Sequence, residues 1–179
     1  MKSGIILKLQ FKVYHSNTPE KIHEFISDNS YMIISEHAYD DNWCGKGMYF
    51  WDNKGNANFW QTHRKDETKI ACCFLIIAEN EFLDLSDHDI AEGMQKLITK
   101  MKQKDRNLID AKPGKKIDFL ASVLKARVVK VIGSYPHSKN SSFFIDSISA
   151  HPSTSDKIIY CVKPDSSDII KHRQLVEEE

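Results

Sequence analysis

The chain has 179 residues, 41% of them apolar and 28% charged, and its 25 basic and 25 acidic side chains leave no formal net charge. That length favours one domain with a sizeable core. Zero net charge argues against a protein held to nucleic acid by a broad basic surface, although not against a local basic groove, and no apolar run approaches the roughly 20 residues of a membrane span.

Leu7, Leu9, Phe11 and Val13 alternate with Lys8, Gln10 and Lys12. A period of two predicts a strand, ending at Val13-Tyr14-His15, and not a signal peptide. Thr18-Pro19-Glu20 then opens a helix with an N-cap type, a proline at the first position and an acid in the first turn. Ile22, Phe25 and Ile26 give it one apolar face, and Asp28-Asn29 ends it. A short strand is expected over Tyr31 to Ser35, and a loop over 36–44. A second helix is expected over Asn56 to His63. The continuous apolar run IACCFLII at 70–77 predicts a strand buried on both faces.

Phe82 to Leu85 follows as a short extended piece. Ser86 and Asp89 form an S-x-x-D capping pattern before Ile90, Met94, Leu97, Ile98 and Met101 at helical spacing. Lys112-Pro113-Gly114 predicts a turn. A helix is expected over Ile117 to Lys125, with strands at Arg127 to Ile132, Phe143 to Ile148 and Lys157 to Val162. Residues 1–170 are expected to form a single domain and 171–179 a frayed tail. The scattered strands and early helices point to the α+β class. Cys44, Cys72, Cys73 and Cys161 show no CxxC spacing and no disulfide framework, which with the N-terminus predicts a cytoplasmic location.

The eight histidines include no HExxH and no Cys/His pairing at ligand spacing, so no metal is expected. Neither a dinucleotide-binding glycine fingerprint nor a phosphate loop is present. Two segments remain. Tyr14-His15-Ser16-Asn17 stands at the end of a strand just before a helix, where a ring nitrogen can meet a sugar hydroxyl; taken alone, a polar strand end is the simpler reading. Gly45 and Gly47 in GKGMYFWDNKGNANFW let another group approach the backbone closely. In that stretch Tyr49 can offer a flat face to a planar ring, with Phe59 ten residues on; an aromatic mini-core beneath a turn is the alternative.

Together, the strand-end histidine, G-x-G-[apolar]-Tyr-Phe and A-N-[aromatic] resemble the ADP-ribosyltransferase superfamily, in its diphtheria-toxin-like and poly(ADP-ribose)-polymerase-like branch. GKGMYFWDNKGNANFW is similar to that branch's GKGIYF…SANY, with one residue fewer before Ala57. The resemblance implies two packed antiparallel sheets, a split sandwich with flanking helices, around a cleft for NAD+ as substrate. It implies that His15 contacts the nicotinamide-side ribose, that Tyr49 stacks on nicotinamide, and that Phe59 packs on its other side. Asn56 would bind the carboxamide, Gly47 would allow close approach, and Ser16 and Asn17 would stand where the family has Gly-Ser or Gly-Thr. A third element, an acid opening a late strand, aligns to Asp156 by one match. A second match gives Ile159, leaving Lys157 or Ser155 on the cleft side.

The resemblance further extends to FLIIAENEFLDLSDHDIAEGMQKL at 74–97. It implies transfer of one ADP-ribose unit to a macromolecule, nucleic acid ahead of protein, by a bacterial toxin of a toxin–antitoxin or phage-defence system with a neutralising partner. Lys100, Lys102, Lys104 and Arg106, with Lys112, Lys115 and Lys116, could line a nucleic-acid path or form a solvated face. An RNA 2′-phosphotransferase of the same fold and an inactive module that keeps the NAD cleft are the rival readings.

Overall fold

The computed structural model describes residues 7–35, 37–63, 66–102, 108, 110–134 and 156–177. In chain order the elements are β1 (Lys8–Asn17), α1 (Pro19–Ser27), a 3-10 turn (Ala38–Asn42), β2 (Met48–Trp51), α2 (Lys54–His63), β3 (Lys69–Ala78), β4 (Phe82–Asp84), α3 (His88–Lys102), α4 (Pro113–Leu124), β5 (Val128–Ser134), β6 (Asp156–Val162), a 3-10 turn (Ser167–Ile169) and β7 (Ile170–Leu175). This is the α+β class. The strand expected at 143–148 lies outside the described residues, as do Ser155, Lys104 and Arg106.

The strands form one seven-stranded sheet of order β4-β5-β6-β2-β1-β3-β7. It is mixed, because β4 and β5 run parallel. One connected sheet replaces the two packed antiparallel sheets expected, since β1 and β2 still share a single register pair, Tyr14↔Trp51. One main core gathers Val13, Phe25, Phe50, Leu75 and Val162. A second seats α3 and α4 through Ile98, Leu120 and Ala121 against Val129. Alternation explains the division, because neighbouring residues of a strand face opposite sides of the sheet.

Several local expectations change. Tyr31–Ser35 makes only an isolated bridge, Ser35↔Gly47. Asp87, not Ser86, accepts the Ile90 amide at the start of α3 (3.0 Å), while Ser86 bonds back to Asp84. Pro113 begins α4 and does not sit in a turn, as a residue with no N–H to lose at a helix start. The tail expected from residue 171 is instead β7, paired with β3 across a bulge between Cys72 and Phe74. Its Arg173 guanidinium donates to the carbonyls of Phe25, Asp28, Asn29 and Tyr31 at 2.7 to 2.9 Å and stands 4.3 Å over the Phe25 ring. A cation thus satisfies the carbonyls that the C-terminal end of α1 leaves open. Among the described residues no helix is long and apolar enough to cross a membrane.

Candidate active site

The site lies where β1 and β2 part. Toward β3, β1 is paired from Lys8 through Asn17. Toward β2 it is paired only at Tyr14. Past that rung, His15, Ser16 and Asn17 keep β3 on one edge and turn the other edge to an open cleft of about 640 Å3. That volume falls in the range of small-ligand sites. His15, Ser16, Asn17, Tyr49, Trp51 and Ile159 line it, with the Ile33–Ser35 segment and the 38–42 turn above them.

A side chain bridges the split in place of the missing rungs. His15 Nδ1 lies 2.6 Å from the Tyr49 carbonyl oxygen. A carbonyl only accepts, so Nδ1 carries the proton. Asn17 is fixed in turn: its Oδ1 accepts the Thr18 amide at 3.0 Å, which aims its amide nitrogen at His15 Nε2, 3.2 Å away. The chain of donors Thr18, Asn17, His15 therefore holds a neutral imidazole in one tautomer and one orientation. Phe50 and Phe25 pack beside it, with ring centroids 5.6 and 6.5 Å from the imidazole. Ser16 is 6% exposed and its hydroxyl has no hydrogen-bond partner among the described residues. A buried hydroxyl without a partner costs about 1–3 kcal/mol, so such groups call for an explanation.

Tyr49 is half-buried on the facing wall, and its phenol donates to the Gly45 carbonyl at 2.5 Å. Burial, and then Cys161, Cys44 and Asp40, push its pKa well above the usual range, so it stays protonated and tethered. Gly45 and Gly47 are glycines for a reason different from the one expected. Gly45 has φ +73°, and a Cβ there would overlap the Asp118 carboxylate; a Cβ on Gly47 would meet Cys161 Sγ at 2.5 Å and the Val162 carbonyl at 2.6 Å. The close approach is made by the chain itself.

A buried clamp holds this loop from behind. Lys163 donates to the Cys44 carbonyl (2.5 Å), to the Lys46 carbonyl (3.3 Å) and to Asp118 Oδ1 (2.9 Å). Asp118, on α4, accepts the Lys46 amide on both oxygens at 3.1 Å. Next to it the free thiols of Cys44 and Cys161 share a hydrogen bond. That bond raises Cys44; burial pushes Cys161 up, but the bond and the Lys163 charge together hold it lower.

His15, Ser16, Asn17 and Tyr49 are brought together as expected. Three other residues are not. Asn56 is buried at the start of α2 with its amide donating to Asp52 Oδ1 at 2.8 Å, so it secures the helix start and does not line the cleft. Phe59 is half-buried on α2 and is not among the described lining residues. The aromatics found there beside Tyr49 are Trp43, Trp51 and Tyr39, the last 77% exposed. Asp156 is exposed, opposite Ser134 of β5. Ile159 is the β6 residue in the cleft, paired with Trp51. Asp156 stands three residues away on the opposite face, about 10 Å along the strand. Of the two residues, Ile159 and not Asp156 lines the cleft.

The sequence offered one signal for the missed residues. The stretch HAYDDNW supplies Tyr39, Asp40 and Trp43 directly before the glycines, which is dense in aromatics for a loop. Asp118 and Lys163 reach the loop from 72 and 117 residues away and leave no local pattern. Among the described residues no group of histidines, cysteines and acids is placed to hold a metal ion. Comparison with protein-family models, with curated proteins and with solved structures returned no match.

Proposed function

We propose that the chain transfers one ADP-ribose unit from NAD+ to a macromolecular acceptor, nucleic acid ahead of protein. The observation that carries this reading is the split itself: a tautomer-fixed histidine and a tethered tyrosine face each other across a cleft whose buried Ser16 hydroxyl is unpartnered. Nicotinamide stacks on Tyr49, with Trp43 and Trp51 taking the part expected of Phe59. The exposed backbone edge of His15 to Asn17 and the Ser16 hydroxyl take its carboxamide. The ribose hydroxyls meet the His15–Asn17 pair, sharing the bond between Nε2 and the Asn17 amide. Orientation supplies most of the rate, since the leaving bond breaks through a cation-like state that needs no metal. With Ile159 at the strand position where chain-elongating relatives of the resembled family carry glutamate, single-unit transfer is favoured over polymer synthesis.

The 2′-phosphotransferase reading needs arginines in the cleft. Among the described residues Arg127 is engaged by Ser166 and Asp168, and Arg173 by the carbonyls that end α1. The proposal includes the toxin role and the neutralising partner implied by the resemblance. Labelled NAD+ incubated with the protein and with cell RNA, DNA and protein tests it. Label is expected on one fraction and lost in Tyr49→Ala. Nicotinamide release without label would make the protein a glycohydrolase, and neither release nor label would leave an inactive binding module.

A further inference from the structure

A carboxylate has to be found for the cation. On the reading above, the ribose C1′ becomes positive as its bond to nicotinamide breaks, and fixed negative charge beside it lowers the barrier. Strand β6 does not supply this charge, because Ile159 occupies the cleft and Asp156 faces the other side. Among the described lining residues a single carboxylate remains, Asp40 in the 38–42 turn. We infer that Asp40, linked through Gly45 to the Tyr49 wall, is the group that stabilises the ribosyl cation in this cleft.

The placement of Asp40 is over-determined. Its Oδ2 accepts the His37 amide at 2.9 Å, and its own amide donates to the His37 carbonyl at 2.9 Å. Its carbonyl accepts from both Trp43 and Gly45 at 2.9 Å. Gly114 of α4 packs so tightly beneath that carbonyl that a Cβ would come within 2.5 Å of it. Since Gly45 also accepts the Tyr49 phenol, two hydrogen bonds link Asp40 to the nicotinamide wall. The charge is felt there, as one of the influences that raise Tyr49. A carboxylate accepts about four bonds, so the one to His37 leaves acceptor capacity on a residue that lines the cleft. Neighbouring Asp41 is drawn off by Lys115 at 3.2 Å. This is the preorganised arrangement that electrostatic stabilisation requires.

In the step itself the C1′–N bond breaks and its electron pair goes to nicotinamide, which leaves neutral. The acceptor's lone pair forms the new bond to C1′, and its proton passes to solvent. Asp40 neither gains nor loses a bond.

The inference rests on the NAD+ reading, and one experiment separates the two. Nicotinamide release is measured for wild type, Asp40→Asn, Asp40→Glu and Asp156→Asn, with NAD+ affinity and melting temperature alongside. Asparagine keeps the acceptor for the His37 amide and removes the charge. Asp40→Asn is expected to lower kcat about 100-fold, with KM and melting little changed. Asp40→Glu should recover part of the loss, and Asp156→Asn should match wild type. Wild-type kcat in Asp40→Asn, or the loss appearing in Asp156→Asn, overturns the inference and leaves the reading standing. No release and no NAD+ binding by wild type overturns both.

Discussion

The two edges of β1 teach opposite lessons. Its β3 edge is a ladder of ten register pairs, and its β2 edge has one. The first edge is stabilised by backbone pairing and can tolerate side-chain change. The second is held by particular side chains: His15 across the split, Tyr49 on Gly45, and Lys163 and Asp118 behind the loop. A strand that gives up its partner exposes donors and acceptors, and these are the groups from which a binding site is built.

The contrast can be broken most severely at the clamp. Lys163 is buried and pairs with Asp118, which is about a third exposed at 31%. Lys163→Met leaves Asp118 only the Lys46 amide and takes a buried donor from the Cys44 and Lys46 carbonyls, so a loss of about 3 kcal/mol is expected. That should appear as a melting temperature lower by about 10 °C. A shift under 2 °C would mean the loop does not depend on the clamp. Gly45→Ala comes next. It forces a side chain into positive φ and against Asp118, and should cost about 2 kcal/mol in a denaturant titration.

Ser16→Ala sharpens the comparison, because stability and binding should move apart. Removing a buried hydroxyl with no partner leaves stability unchanged or raises it by about 1 kcal/mol. The same change should weaken NAD+ several-fold. A parallel loss of both would make Ser16 a structural residue. The smallest effect is expected at Asn56, where Asn56→Ala breaks the bond to Asp52 and costs about 1 kcal/mol without changing NAD+ affinity.

Much of the fold was legible because its signals are local. The alternation of Leu7 to Val13, the Thr18-Pro19 helix start and the run at 70–77 each fell where β1, α1 and β3 lie. The errors came from long-range effects. Tyr31–Ser35 has strand composition but finds only Gly47 to pair with. The tail carries Lys171, His172 and Arg173, which look solvated, yet β3 offers it an open edge and α1 offers Arg173 its carbonyls. In the site, His15, Ser16, Asn17 and Tyr49 could be chosen because each belongs to a short pattern. Asp156 and Ile159 could not be separated by composition, since one residue of register moves a strand's side chains to the other face. Trp43, Trp51 and Asp40 come together only through the folding of the loop onto α4 and β6.

The central claim is that nicotinamide is bound on Tyr49 where β1 and β2 part. Calorimetric titration of wild type and Tyr49→Ala with NAD+ tests it most directly. The account predicts one NAD+ bound per wild-type chain and loss of that binding in Tyr49→Ala, with the variant folded by circular dichroism. Equal affinity in the two proteins, or no binding to wild type, would contradict it.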